Sequence, residues 1–139
     1  MYEEITNIYL NSEWWHRYKL SEEQANEYHE RLLLQGNILT YVVAGELQGY
    51  LEYWRINHEQ FGRLVCGKSV YVYDEDILSG NIAYINNMWV SPGGAAFDML
   101  VAMFLAKNQD AEFFTAFRRT KKHQPVLVYN REDFIKWHK

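Results

Sequence analysis

Hydrophobic positions change their period along this chain, from helical to alternating and back. Over residues 3–18, Ile5, Ile8, Tyr9 and Trp15 recur at approximately helical spacing, which predicts a first helix with Asn11-Ser12 as a candidate interruption. Ser21-Glu22-Glu23-Gln24 then has the form of a capping box. It opens a second helix with Ala25, Tyr28 and Leu32 on its apolar face, Leu33 beside them, and Gly36 as C-cap. From Asn37 the period shortens. Residues 38–44 and 47–56 are rich in Val, Leu, Tyr and Trp, and the Gly45-Glu46 break between them suits a hairpin. Gly49, inside the second run, marks a bulge or the close approach of another backbone. Residues 57–67 predict a short helix, with Phe61, Leu64 and Val65 on one side and Gly67 as its stop. Residues 69–73 alternate like a strand, and Asp74-Glu75-Asp76 with Ser79-Gly80 forms a polar loop.

The centre of the pattern is the stretch 82–107. Ile82, Tyr84, Ile85, Trp89 and Val90 suit a buried strand over 81–90, and Pro92 forbids continued ladder pairing. After Gly93-Gly94, Phe97, Leu100, Val101, Phe104 and Leu105 fall at i, i+3, i+4, i+7 and i+8, the stripe of an amphipathic helix, and Lys107, Asn108 and Gln109 make a polar exit. The first amides and the positive dipole end of such a helix point at the loop, a natural anion site. A tight turn needs glycine here whether or not an anion binds. Beyond Asp110, residues 112–117 read as a strand, 125–129 as a short apolar run, and 131–138 as a strand end or a terminal helical turn.

At 139 residues and 48% hydrophobic, the chain can bury a sizeable core, and a single domain over 1–139 is expected. The net charge of −4 gives no global argument for nucleic acid or membrane binding. Charge is nevertheless uneven: Arg118, Arg119, Lys121, Lys122, Arg131, Lys136 and Lys139 are half of the Lys plus Arg. With His123, the run from Arg118 to Lys122 reads as a phosphate contact, a partner contact or a solvated face. Cys66 is the one cysteine, so no intrachain disulfide exists; a reducing compartment and a small buried or semi-buried thiol are expected. Met1-Tyr2-Glu3-Glu4 is acidic where a signal peptide is basic, and no apolar run approaches the roughly 18 residues of a membrane span, so a cytoplasmic protein is expected. His16, His29, His58, His123 and His138 are scattered without ligand spacing, and no metal site is expected.

Two helices, a hairpin, a strand ending in Val90-Ser91-Pro92, a helix over a small-residue loop, one more strand and a tail resemble the GNAT N-acetyltransferase superfamily, from Met1 to about Phe134. The likeness is to a reduced version, similar to small phage-encoded members. It implies an α/β fold with a mixed, mostly antiparallel sheet flanked by helices, and acetyl-coenzyme A (acetyl-CoA) as cofactor. Met88, Trp89 and Val90 are the implied thioester neighbours, and Gly93, Gly94, Ala95 and Ala96 the implied pyrophosphate loop. The sequence departs from the family's loop pattern, because Gly93 follows Pro92 at once and no Arg or Gln lies between Pro92 and Phe97. It also lacks the Asn-then-Tyr signature after the next strand.

The implied reaction is direct attack of an unidentified amine acceptor on the thioester, which requires a base, oxyanion donors and an acid. Glu52 is the candidate base, directly or through water, and Tyr129 the candidate acid. The plainer readings stand beside these: Glu52 as a solvent-face residue and Tyr129 as a packing residue of the last strand. Asn86-Asn87 either orients substrate or satisfies a strand edge. The alternative function is a catalytically inactive GNAT-fold module that binds or inhibits a protein or nucleic-acid partner. A homodimer through exposed aromatics is a further expectation, and the negative charge argues against nucleic acid.

Overall fold

The computed structural model describes residues 1–12, 20–66, 79–116 and 127–138. Trp15, Gly67, the strand expected at 69–73, the acidic loop at 74–76, Phe117, the basic run 118–122 with His123, and Lys139 lie outside the described residues.

Local signals account for most element ends. Helix α1, Tyr2–Leu10, stops at Asn11, whose side chain donates to Asn7 O at 2.8 Å. Helix α2, Glu22–Gln35, starts in the expected capping box: Ser21 Oγ accepts from Gln24 N at 3.1 Å and Gln24 Oε1 accepts from Ser21 N at 3.0 Å. It ends with Gly36 at φ 82°, where Gly36 N donates to Leu33 O and Asn37 N to Leu32 O, a Schellman closure. Strands β1, Ile38–Val43, and β2, Glu46–Ile56, form an antiparallel hairpin. Its two-residue turn is Ala44-Gly45, not Gly45-Glu46. Both residues have positive φ, 52° and 80°, which matches a primed turn to the twist of the strands. Helix α3, His58–Val65, has its own capping box between Asn57 and Gln60.

Strand β3, Ile82–Val90, is followed by helix α4, Ala96–Lys107, and strand β4, Phe113–Ala116. Strand β5, Leu127–Asn130, leads directly into helix α5, Arg131–His138, so the terminal segment is helical rather than a strand end. Asn130 Oδ1 accepts from Asp133 N at 2.8 Å and caps α5. The five strands form one sheet in the order β1-β2-β3-β4-β5. β3 and β4 pair in parallel across the α4 crossover, while β1–β2 and β4–β5 are antiparallel. The fold is therefore mixed α/β with a mostly antiparallel sheet flanked by helices.

The chain divides into two compact units. The first comprises Met1–Glu52 and Asn87–Met103. In it α1 packs on α2, burying Ile5, Tyr9, Ala25 and Leu32, and Tyr50, Leu51, Ala96, Leu100 and Val101 are buried as well. The second comprises Tyr53–Asn86 and Phe104–Lys139. Its core is aromatic: the Phe104 and Phe114 rings lie 5.9 Å apart, Phe114 and Phe134 5.3 Å apart. Phe61 and Leu64 of α3 pack on Ile56, Ile82 and Tyr84. Arg55, buried beside them in sequence, donates to Gly80 O at 2.8 Å and holds Asp110 with two bonds of 2.9 and 3.3 Å.

On α4, Leu100, Val101 and Phe104 of the expected stripe are buried, Leu105 is half-buried and Phe97 is exposed. Cys66, at the end of α3, is exposed rather than buried, because α3 covers its neighbours with Phe61 and Leu64 and turns its C-terminal residues to solvent. Among the described residues no helix is long and apolar enough to cross a membrane.

Candidate functional site

The corner between β3 and α4 lies in the first unit. Parallel pairing with β4 covers Ile82–Ile85 against Phe113–Ala116, and β3 runs on to Val90, so among the described residues it outruns its parallel partner. The exit of β3 sits hard against β2. A Cβ added to Gly49 would lie 2.9 Å from Trp89 O, 3.0 Å from Leu100 Cδ1 and 3.2 Å from Ala96 Cβ, so only glycine fits without displacing a neighbour. Gly49 also adjoins a bulge: Tyr41 pairs with Gly49 and Val42 with Leu47, which leaves Gln48 as the extra residue. Both sequence readings of Gly49, bulge and close approach, hold at once. Ser91 N donates to Gln48 O at 2.8 Å, and Ser91 Oγ donates to Gln48 Oε1 at 2.9 Å.

The chain then crosses Pro92, Gly93, Gly94 and Ala95, all exposed, to the buried Ala96. Gly93 takes φ 75°, the left-handed region that a side chain disfavours. A Cβ on Gly94 would meet nothing nearer than 3.9 Å, at Ala96 N and Ser91 Oγ. Ala95 O accepts from Met99 N at 3.1 Å, which makes Ala95 the residue before the first helical turn. The loop thus offers approachable backbone without bulk, the donor chemistry that a phosphate ester needs. Asp98 works against it, because a carboxylate in the first turn already complements the helix dipole and repels a second anion. On donor chemistry the corner fits a pyrophosphate held by neutral groups and lacks the cation that would hold one by charge.

Glu52 is buried, at 3% exposure, which corrects its reading as a solvent-face residue. The alternation that suggested it disappears in β2, where Gly49 to Tyr53 are all buried; an internal strand covered on both faces has no polar side. Its carboxylate is felt at Tyr9: burial pushes the Tyr9 phenol up, the bond from Leu20 N pulls it down, and the Glu52 charge pushes it up again. Thr6 Oγ1 and His29 Nδ1 share a buried hydrogen bond of 2.8 Å, and the Tyr9 ring meets the His29 ring edge-on at 5.7 Å. Burial lowers the His29 pKa to about 4, so the ring is neutral at pH 7. Asn87, the polar strand residue, donates to the buried Tyr50 hydroxyl at 3.0 Å.

Met88, Trp89, Val90, Gly93, Gly94, Ala95 and Ala96 therefore share one unit with Glu52. Tyr129 belongs to the second unit, half-buried on β5, with its ring 6.2 Å from that of Phe134. Gln48 and Ser91 were not singled out as site residues. The only local signal for them was the glycine that follows Gln48, since the pairing that unites them spans 43 residues. Among the described residues no group of three or more His, Cys, Asp or Glu side chains is placed to hold a metal ion.

No family model matches the sequence, and no curated protein matches it. Among solved structures, the chain is similar to GphF, a GNAT-like decarboxylase in complex with isobutyryl-CoA, at 13% identity and a TM-score of 0.51, over 74% of this chain and 54% of that one. A second alignment, to the loading GNATL domain of CurA from Lyngbya majuscula, has 14% identity and a TM-score of 0.45, over 76% of this chain and 56% of that one. The chain spans about half the length of the solved chains it matches. Taken with the strand order and the parallel step across α4, the likeness to the decarboxylase shows that this chain has a GNAT-like fold.

Proposed function

We propose that the chain is an acyl-CoA-dependent N-acyltransferase that uses acetyl-CoA to acetylate an amine. The observation that carries the reading is the corner itself: β3 runs to Val90 and turns into an exposed, small-residue loop at the start of α4. A solved GNAT-like protein described with isobutyryl-CoA supports acyl-CoA as the ligand class.

In this reading the main chain of Met88, Trp89 and Val90 holds the pantetheine arm and offers amides to negative charge at the reacting carbonyl. The amides of Gly93, Gly94, Ala95 and Ala96 receive the pyrophosphate. When bound, acetyl-CoA supplies the acetyl group as a thioester. Glu52 would take the proton of an ammonium acceptor, leaving its nitrogen neutral for attack, and the departing sulfur would need a proton donor, the role for which Tyr129 is the sequence's candidate. Glu52 is a buried carboxylate in the same unit as the corner, which supports its assignment to this role. Glu52→Gln should then bind coenzyme A like the wild type and lose transfer.

The first test is calorimetric titration of the folded protein with acetyl-CoA and coenzyme A, beside Gly94→Glu. The space around Gly94 means this substitution adds a carboxylate without a clash, so its effect reports charge. Binding by the wild type and its loss in Gly94→Glu is the expected result; a folded wild type that binds neither ligand refutes the reading. One observation favours the second function, an inactive binding or inhibitory module: Asp98 occupies the first turn of α4 and no cationic side chain lies between Pro92 and Phe97.

A further inference from the structure

The loop from Pro92 to Ala96 carries no polar side chain, and Asp98 beyond it can only repel an anion, so any side-chain donor must come from another element. We propose that Gln48 of β2 is that donor, binding the pyrophosphate of coenzyme A through its amide Nε2 group, with Ser91 as the residue that positions it. This rests on the coenzyme A reading of the corner.

Three features single out Gln48. It is the extra residue of the β2 bulge, opposite no β1 residue, and a bulge turns a side chain away from the direction that regular pleating would give it. It is tied twice to the root of the loop, by Ser91 N to its carbonyl at 2.8 Å and by Ser91 Oγ to its Oε1 at 2.9 Å. Ser91 Oγ in turn lies 3.9 Å from where a Cβ of Gly94 would stand, so the hydroxyl that holds Gln48 Oε1 borders the loop. Because Oε1 is taken by the Ser91 hydroxyl, the two Nε2 hydrogens are what the Gln48 amide has to offer a ligand. A side chain already held in one rotamer loses little entropy on binding. Glycine at position 49 lets the β3 exit approach closely enough for both bonds to form.

The test uses Gln48→Glu, which is nearly isosteric and can still accept from Ser91 Oγ, but cannot donate and brings a negative charge. Wild type, Gln48→Glu and Ser91→Ala are titrated calorimetrically with coenzyme A and with pantetheine, which has the same arm without the pyrophosphate. Thermal unfolding without ligand checks the fold. Expected are a loss of coenzyme A affinity of about tenfold or more in Gln48→Glu, a loss of about threefold in Ser91→Ala, and pantetheine affinity unchanged in both. Gln48→Met, neutral and of similar length, covers the case in which the carboxylate unfolds the corner; it should show the same loss confined to coenzyme A. Wild-type affinity for coenzyme A in Gln48→Glu or Gln48→Met overturns the assignment and leaves the coenzyme A site standing. So does an equal loss for pantetheine, since the effect would not then lie at the pyrophosphate. A folded wild type that does not bind coenzyme A overturns both.

Discussion

Gly49→Ala probes the packing that makes the corner. The added methyl would stand 2.9 Å from Trp89 O, a main-chain atom of an internal strand, 3.0 Å from Leu100 Cδ1 and 3.2 Å from Ala96 Cβ. Leu100 is fully buried and has no room to retreat, so relief must come from moving the β3 exit away from β2. Restricting the unfolded chain would by itself favour alanine by about 0.4–1 kcal/mol. Forcing a methyl into a filled site costs about 1–3 kcal/mol, and here neighbours from two elements are all tight. The net expectation is a loss of about 1–2 kcal/mol, which for 139 residues lowers Tm by about 3–8 °C. Urea unfolding at pH 7 measures it, and coenzyme A titration should show weakened binding as the Ser91 bonds to Gln48 lengthen. A Gly49→Ala protein as stable as the wild type would refute the close approach and, with it, the geometry assigned to the corner.

Three further outcomes follow from other parts of the structure. His29 is buried neutral with its pKa at about 4 against an ordinary 6.5, so the unfolded chain binds the extra proton first. Stability should fall as pH drops from 6.5 toward 4, by about 2 kcal/mol at pH 5, and His29→Leu should remove that slope in urea unfolding. Arg55→Met leaves Gly80 O without its buried donor, while the exposed Asp110 loses only a solvent-screened partner, and should cost about 1–3 kcal/mol. In the same variant the Asp110 carboxyl, held below its ordinary 3.8 by the hydrogen bond and charge of Arg55 and by a backbone hydrogen bond, should move up toward that value in an NMR titration; in the wild type its contribution is present above 3.8 and lost as pH falls through the lowered value. Ser21→Ala breaks the capping box of α2 and should cost about 1 kcal/mol, read by thermal unfolding with coenzyme A binding intact.

The elements with local signals were legible from residue order. The Ser21–Gln24 box and Gly36 bound α2 within a residue because a cap is made by neighbours five positions apart or fewer. The strand-forming runs of 38–43 and 46–56 hold as a hairpin, and the stripe from Leu100 to Phe104 survives because it records one face turned to a core. The turn at Gly93 was legible for a similar reason: its positive φ disfavours any side chain.

Glu52 was misplaced because burial depends on what covers a strand. Its neighbours alternate as on a half-exposed sheet, yet consecutive residues of β2 are buried, and only the assembled unit reveals a carboxylate at 3% exposure near Tyr9. Cys66 failed in the opposite direction, following an apolar residue into solvent. Gln48 and Ser91 were invisible for a third reason: a bulge, a glycine and a strand exit 43 residues away must coincide before the amide is held. Residue order by itself determined the first four helices, the hairpin and the small-residue corner, since short-range hydrogen bonding and periodic burial set them. Tertiary structure alone decided the parallel β3–β4 step, the burial of Glu52 and the pairing of Gln48 with Ser91, because each is a contact between segments that share no local pattern.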